Sequence, residues 1–420
     1  MSKNRRLGVA VLGAGTVGEP VVRALLEREG ELEVRAGCRL ELVGVAVRDV
    51  DAAIGRGLPA ELLTDAPAHL VAAPEVDVVV ELMSGDEPAA TLIDAALASG
   101  KAVVTANKHV LAQRGSTLEA TARRTGAAFR FEATVAGGTP VLGPLAAELA
   151  ANRIVAIHGI LNGTTNFILS AMGGAGRTYD DALEAAQRAG YAESDPRADV
   201  EGLDAANKVV ILTRLGFGRW LDPASIQRCP PTVVGVAGPG ISAVGQADIA
   251  GAAQLGLTIK LIGRMRLLDD GRLIADALPT AVKAVSPFGR TGGVVNRVEV
   301  EAEPVGRVAF EGPGAGGATT SSAILGDLIA VARGEGSTWA GLPEAAGPAA
   351  GPAAGATADA EPARRFFTSA LPEQLVRDQV DIEVARGGGF VSAPRPLDDL
   401  QAALAAAGVE ATLFPIETDR

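Results

Sequence analysis

The sequence predicts an α/β protein made of two unlike parts. From Leu7 onward, short apolar strands alternate with helical segments, and some of these strands are apolar on both faces, as buried parallel strands are. Beyond about Ile154 the alternation gives way to strands and helices in mixed order, the pattern of an α+β domain with a mixed sheet. A third observation separates the tail: residues 341–362 are Ala, Gly and Pro with little else, which reads as a flexible linker. The expected division is therefore 1–140, 141–318, the linker 341–362 and a C-terminal piece 363–420, with a helix over 319–333 packing back onto the first domain.

Length and composition narrow the class. A chain of 420 residues exceeds what one core usually supports, so two or three domains are expected. With 48% apolar residues there is enough to bury in them. A net charge of −12 and only 3% aromatics argue against a nucleic-acid surface. Cys38 and Cys229 make no disulfide framework and belong to no zinc-spaced cluster, which fits a reducing, cytoplasmic setting. Lys3, Arg5 and Arg6 precede the apolar run Leu7–Leu12 and mimic a secretory signal. The run is short and ends in Gly13-Ala14-Gly15, so a first strand explains it better. No apolar run is long enough to predict a membrane span.

Each element then carries its own reason. Leu7–Leu12 is a short strand, and Gly13-Ala14-Gly15-Thr16-Val17-Gly18 links it to an amphipathic helix over 19–28. Between strand and helix each glycine has a task. Gly13 allows a tight turn, Gly15 lets the backbone approach a pyrophosphate, and Gly18 lets the helix pack on the strand. The helix N-terminus supplies donors and positive potential for phosphate; the competing reading is a glycine-rich turn without a ligand. The second strand, 40–47, is followed by Arg48 and Asp49. An acid at that place would bind ribose hydroxyls and an Arg would suit a 2′-phosphate, so NADP is favoured over NAD. Strands over 76–82 and 102–105 lead into Met83-Ser84-Gly85 and Ala106-Asn107-Lys108. Ligands in open α/β sheets bind at such strand ends, which makes Lys108 a candidate. His109, at the next helical position, reads as structural. A further strand, 128–133, runs into Val135-Ala136-Gly137-Gly138-Thr139, whose carbonyls offer a hard cation oxygen ligands or form only a turn.

In the second region a strand over 154–161 leads to Asn162-Gly163-Thr164-Thr165-Asn166, which opens a helix, and Thr178-x-x-Asp181 is an N-cap pattern. Gly190–Lys208 is unusually charged, with Glu193, Asp195, Asp199, Glu201, Asp204 and Lys208. A helix from about Val200 to Leu215 would put Glu201, Asp204 and Lys208 on one face. Alone, that reads more readily as a solvated helix face than as a lysine held by carboxylates to pass a proton. Strands are expected over 258–265, 272–279, 281–285, 293–300 and 307–311, then the glycine-rich loop Gly312–Gly317, which either closes on a cofactor or merely connects. In the tail, 379–385 reads as a strand, 397–407 as a helix, and 387–396 as turns and packing.

Taken together these segments resemble homoserine dehydrogenase. The matching stretches are GAGTVG (Gly13–Gly18), VAVRD (Val45–Asp49), VVTANKHVLA (Val103–Ala112), FEATVAGGTP (Phe131–Pro140), GILNGTTNFI (Gly159–Ile168), GYAESDPRADVEGLDAANK (Gly190–Lys208) and GPGAGG (Gly312–Gly317). They cover residues 7 to 335 or so in the family's order, and the sixth is highly specific. The resemblance implies a Rossmann-type NAD(P)-binding domain, a catalytic and dimerisation domain, and NAD(P)-dependent interconversion of L-aspartate 4-semialdehyde and L-homoserine. It places the enzyme in threonine, methionine and isoleucine biosynthesis.

By motif, Lys208 resembles the proton donor and Lys108 the second active-site lysine. Glu193, Asp204, Asp199 and Thr164 resemble substrate-binding residues. Gly13, Gly15, Thr16, Val17, Gly18, Arg48, Thr105, Lys108, Gly190, Glu193 and Gly317 match cofactor positions. Glu132, Val135, Gly137 and Thr139 match a sodium site formed mostly by backbone carbonyls. The resemblance also implies a homodimer or higher homo-oligomer. The chemistry is coherent: as hydride arrives at the carbonyl carbon, charge grows on oxygen, where lysine cations stabilise it and one donates the proton. A free lysine titrates at about 10.4, so oxidation of homoserine is expected to favour alkaline pH. The sequence departs from the family at Ser84, where a glycine is usual, and in the tail, which shows no ligand-sensing ACT pattern and no D-x-P-G stretch. A regulatory domain and an oligomerisation piece are both open for it. The rival readings are an idle NADP-binding sensor and an oxidoreductase acting on a related amino-acid aldehyde.

Overall fold

A computed structural model describes residues 5–339, 341–345, 364–369, 381–386 and 389–417. In chain order it begins with β1 (Arg6–Leu12), α1 (Gly18–Glu27), α2 (Glu29–Ala36), β2 (Arg39–Ala46), α3 (Val50–Gly55), β3 (Leu63–Thr64) and α4 (Pro67–Ala72). There follow β4 (Val78–Glu81), α5 (Ala89–Ala98), β5 (Ala102–Thr105), α6 (Lys108–Thr125), β6 (Phe129–Arg130) and α7 (Leu142–Ala146). Next come β7 (Arg153–Ile160), α8 (Gly163–Ala175), α9 (Tyr179–Arg188), α10 (Arg197–Val200), α11 (Leu203–Phe217), α12 (Gln246–Gln254), β8 (Leu257–Leu267) and β9 (Leu273–Lys283). The rest are α13 (Pro287–Arg290), β10 (Val295–Glu303), β11 (Gly306–Pro313), α14 (Gly317–Arg333), β12 (Phe366–Thr368), β13 (Ile382–Arg386), β14 (Gly389–Ser392), α15 (Leu397–Ala406) and β15 (Phe414–Glu417). The chain divides into two compact units.

The first unit holds residues up to Ala151 together with Arg214–Trp220 and Pro313–Pro348. Its six strands run in the order β3-β2-β1-β4-β5-β6, and every pairing is parallel. This is the doubly wound, Rossmann-type order, in which ligands gather beyond the strand C-termini where the order reverses. Val78, Val79 and Val80 are all fully buried, which explains why β4 reads as a continuous apolar run. Helix α14 lays Ile324, Leu325 and Leu328 into the same core as Val21, Val22 and Val9. The expected strand over 128–133 is shorter: β6 ends at Arg130 and Glu132–Thr134 forms a 3₁₀ turn. The turn is drawn off the strand line because the Glu132 backbone N–H donates to Asp327 of α14 at 2.8 Å and its carboxylate caps α7.

The second unit centres on a nine-stranded sheet, β11-β10-β7-β8-β9-β15-β12-β14-β13. It is mixed: β7, β8, β9 and β10 pair antiparallel, whereas β15 joins β9 in parallel. Three expectations need correction here. The strands expected over 272–279 and 281–285 are one strand, β9, running through Pro279. Pro279 lies before the point, Ala281, at which β15 takes up pairing on the other side of β9. The single helix expected from Val200 is broken. Helix α10 ends at Val200, and Gly202, at φ +75°, reverses the chain before α11, so Glu201 does not share a helix face with Asp204. Residues 387–396, expected as turns, include the buried strand β14, whose Phe390 packs with Phe366, Leu400 and Leu404.

In the tail, β15 and β14 flank β12, and β13 lies outside β14, all antiparallel. With α15 between the third and fourth strands, this is a split βαβ arrangement of the ferredoxin-like kind. Most of the expected linker, and part of the expected strand 379–385, lie outside the described residues. The start of that linker stretch is held in place, because the carbonyl of Pro343 accepts from Arg214 at 2.7 Å.

Candidate active site

The candidate residues fall into one set in each unit. In the first unit, Gly13 takes φ +101° and its N–H donates to Ala46 O at 2.8 Å, continuing the β1–β2 pairing into the start of the turn before α1. A Cβ on Gly18 would lie 1.8 Å from Gly13 O, so the helix start fits closely on the turn. Gly15 has open space where a Cβ would stand, which leaves its backbone approachable. Val17, the residue before α1, contributes no side-chain cap, but Glu19 N–H donates back to Gly15 O at 3.0 Å and position 20 is a proline, so an anion here would be met by the amides of the turn itself. The second glycine loop reaches the same place: a Cβ on Gly317 would lie 2.3 Å from Thr16 O. These features fit a dinucleotide, whose pyrophosphate would rest on the Gly13–Gly18 turn.

Past β2, Arg48 and Asp49 are both exposed, but Asp49 accepts from Ala52 N–H at 2.8 Å and caps α3. Its carboxylate thus has a local task, and Arg48 has no ion pair among the described residues. At the ends of β4 and β5, Thr105 is fully buried and Lys108 is half-buried as the first residue of α6. Asn107 caps that helix by accepting from Val110 N–H at 3.1 Å. His109, expected to be structural, lies exposed, because the second position of α6 points away from the sheet.

Glu132 does not present a free carboxylate. Its oxygens accept from the N–H groups of Val141, Leu142 and Gly143 at 2.6–2.9 Å, so it caps α7. Burial pushes this carboxyl upward, and those amides oppose the shift. Ala136 and Gly137 both adopt positive φ, and a Cβ on Gly137 would fall 2.5 Å from Gly314 O. The cation loop thus abuts the second glycine loop. Among the described residues no group of three or more acidic, His or Cys side chains gathers for a metal. Only backbone oxygens of the 132–139 loop, with the Thr139 hydroxyl, suit the hard monovalent ion that the resemblance implies.

The second unit draws three distant motifs into one polar cluster. Lys208 is buried on α11, and its Nζ donates to Asp204 Oδ2 and to Leu161 O, each at 2.6 Å. Asn162 Nδ2 donates to Asp204 Oδ2 at 2.9 Å and to Asp199 Oδ1 at 2.7 Å. The other side of the Asn162 amide caps α8 by accepting from Thr165 N–H at 2.8 Å. Thr164 Oγ1 donates to Tyr191 O at 2.7 Å, tying that helix start to the Gly190–Asp195 loop. Gly190 takes φ +73° to begin that loop, and Glu193 lies exposed on it. The i, i+4 pair foreseen from spacing is present, and its burial sets it apart from a solvated helix face. A buried ammonium held by one carboxylate and one carbonyl is fixed in direction, the arrangement a directed proton donor requires.

Sequence reasoning missed Asn162 as a site residue, although an Asn before Gly-Thr-Thr at a helix start is an N-cap signal. It also missed Asn296, which donates to Leu161 O at 2.9 Å beside Lys208, and for this no local signal exists.

Comparison with known proteins adds the family. Residues 13–132 match the model of the homoserine dehydrogenase NAD-binding domain, and residues 140–329 match that of homoserine dehydrogenase. The homoserine dehydrogenase of Mycobacterium leprae is 44% identical over 336 residues, covering 79% of this chain and 74% of that protein. A crystal structure of a homoserine dehydrogenase from Thiobacillus denitrificans superposes with a TM-score of 0.86 at 31% identity, covering 99% of each chain. A hyperthermophilic archaeal homoserine dehydrogenase in complex with NADPH superposes with a TM-score of 0.64 at 27% identity, covering 78% of this chain and 97% of that one.

Proposed function

The chain belongs to the homoserine dehydrogenase family, and from that premise we propose that Lys208 is the proton donor in its NAD(P)-dependent conversion of L-aspartate 4-semialdehyde to L-homoserine. The bound nicotinamide would supply the hydride. The observation that carries the assignment is the Asp204–Lys208–Leu161 arrangement, in which a buried ammonium donates to a carboxylate and to a backbone carbonyl. Asp204 and Asp199, spaced by the Asn162 amide, form the anionic surface that would hold the substrate's ammonium, with Thr164 and Glu193 at its margin. By its motif, Lys108, at the start of α6, is assigned the role of the family's second active-site lysine. The product of this step serves threonine, methionine and isoleucine synthesis, and the working unit is a homo-oligomer, which light scattering checks.

The test is NADPH oxidation with aspartate 4-semialdehyde. Lys208→Ala is expected to lower kcat by about 10²–10⁴-fold while leaving NADPH binding in place. Wild-type oxidation of homoserine should rise from neutral to alkaline pH, as a base must first be freed. An unimpaired Lys208→Ala variant would overturn the proton-donor assignment; no oxidation by a wild type that binds NADPH would send the chain to the rival substrates or to the sensor reading.

For the cofactor, the capping role of Asp49 and the exposed Arg48 support NADP. Arg48→Ala should raise KM for NADPH by about ten- to a hundredfold and leave KM for NADH nearly unchanged. Equal effects on both would sink this preference. A sodium ion is proposed on backbone oxygens of Glu132, Val135 and Gly137 and on Thr139; replacing sodium by a large organic cation should reduce the rate.

A further inference from the structure

Glu81 is the last residue of β4 and is wholly buried at the sheet's C-terminal end, between Leu12 of β1 and Thr105 of β5. A carboxyl sealed there is costly unless it does something for its surroundings. Its two oxygens have separate duties. Oε1 accepts from Met83 N–H at 2.7 Å, and Oε2 accepts from Thr105 Oγ1 at 2.6 Å. Thr105 Oγ1 in turn accepts from Asn107 N–H at 2.9 Å. Asn107 continues in both directions, donating from Nδ2 to Gly85 O at 2.8 Å and capping α6 with Oδ1. One carboxylate thus ties the loop after β4 to the turn after β5, and the residue that follows Asn107 is Lys108.

We propose that Glu81 is a positioning residue of this site: its carboxylate sets the turn that presents Lys108 and the Met83–Gly85 loop, and its protonation slackens both. The proposal rests on the reductase reading above. The physical step is simple. As a carboxylate, Glu81 accepts both donors at once. A proton must sit on one oxygen, which then meets a donor rather than an acceptor. On Oε1 the proton opposes Met83 N–H. On Oε2 it forces the Thr105 hydroxyl to turn away and find another acceptor.

The surroundings favour a titration near working pH. Burial pushes the carboxyl up to about 7, opposed by the hydrogen bonds of Thr105, Met83 and Asn107. It has no ion pair with a cation among the described residues. Several charged groups on the elements around it are engaged elsewhere. Asp86 and Glu87 share Arg114 of α6. Asp94 of α5 accepts from Thr121. Lys101 binds the carbonyls of Val71 and Ala73, and Arg6 of β1 pairs with Glu41 at the other end of the sheet. Lys108 and His109 are the first two residues of α6, half-buried and exposed respectively.

The experiment compares wild type, Glu81→Gln and Thr105→Val from pH 5 to 9 in two assays. In the first, kcat/KM for NADPH in the wild type rises through an inflection near 7. Glu81→Gln keeps one of the two bonds and cannot ionise. It should hold the wild type's low-pH value throughout, about three- to tenfold below the plateau, without an inflection. Thr105→Val removes a bond to the carboxylate and should move the inflection to higher pH. The second assay uses the cofactor-free protein. A carboxyl whose folded pKa is raised contributes stability that is complete below its unfolded value and is lost as pH rises through the folded one. The melting temperature of wild type should therefore fall relative to Glu81→Gln between pH 5 and pH 8. An inflection that persists unchanged in Glu81→Gln, or a melting difference that is flat with pH, overturns the proposal; if Glu81→Gln does not fold, an unmoved inflection in Thr105→Val does so. A wild type that reduces no aspartate 4-semialdehyde yet shows the melting difference overturns the functional reading, and Glu81's part in it, while leaving the buried titration standing.

Discussion

Single side chains at this site do more than one task. Asn162 caps α8 with its oxygen and spaces Asp199 from Asp204 with its nitrogen. Asn162→Ala should therefore cost about 1 kcal/mol of stability from the lost cap. It should also lower kcat/KM for aspartate 4-semialdehyde by about tenfold or more, as the two carboxylates repel without their bridge. Thermal melting and steady-state kinetics on the same preparation separate the two effects. Loss of stability with unchanged kinetics would show that the amide serves only the helix. Glu132 follows the same logic in the first unit, where a carboxylate placed by motif at a cation loop serves as the cap of α7.

At the scale of elements, helix starts and glycine turns do the positioning. Helix α11 carries Asp204 and Lys208 because Gly202 ends α10 and lets the chain turn before it. Helix α14 meets the first glycine turn only because Gly317 has no side chain. The Cβ of Gly317→Ala would lie 2.3 Å from Thr16 O, a backbone atom that cannot swing aside. That substitution should push α14 off the turn and weaken NADPH binding by at least about tenfold, with a smaller effect on melting. Cofactor fluorescence titration reads this directly, and an unchanged Kd would show that the loop gives way without disturbing the site.

For the molecule as a whole, the C-terminal strands extend the catalytic sheet of the second unit. β15 pairs with β9, and Glu417 reaches His158 of β7 at 3.1 Å. Burial would raise the Glu417 carboxyl, but His158, Arg364 and Arg264 together hold it down at about 2. Its contribution to stability is thus present above the ordinary carboxylate range and lost as pH falls towards 2. Ending the chain at residue 345 would bare the edge of β9 and the groups around Glu417. The shortened protein should melt lower and associate at its open strand edge, which melting and light scattering detect. A shortened protein that stays stable and unassociated would mark the tail as a separable module.

Local pattern determined the two-part architecture, the α/β class of the first part, the glycine turn and the Asp204–Lys208 spacing. These are legible because strand burial, turn geometry and i, i+4 neighbours are set within a few residues. Family resemblance added the reaction and the residue roles proposed for it, since the Gly190–Lys208 motif is too specific to arise from packing alone. Tertiary structure decided the rest. Whether a charged helix face is solvent or site depends on what buries it, and Lys208 is buried with its ammonium on Leu161 O, a carbonyl from a remote segment that also accepts from Asn296. The strand expected across 128–133 stops early because Asp327, far along the chain, takes the Glu132 amide. Turns expected at 387–396 contain a strand because β12 and β13 offer it partners. Glu81 read only as the end of an apolar strand. Its role rests on Thr105 and Asn107 arriving beside it, and such pairings between segments far apart in sequence are set by the fold.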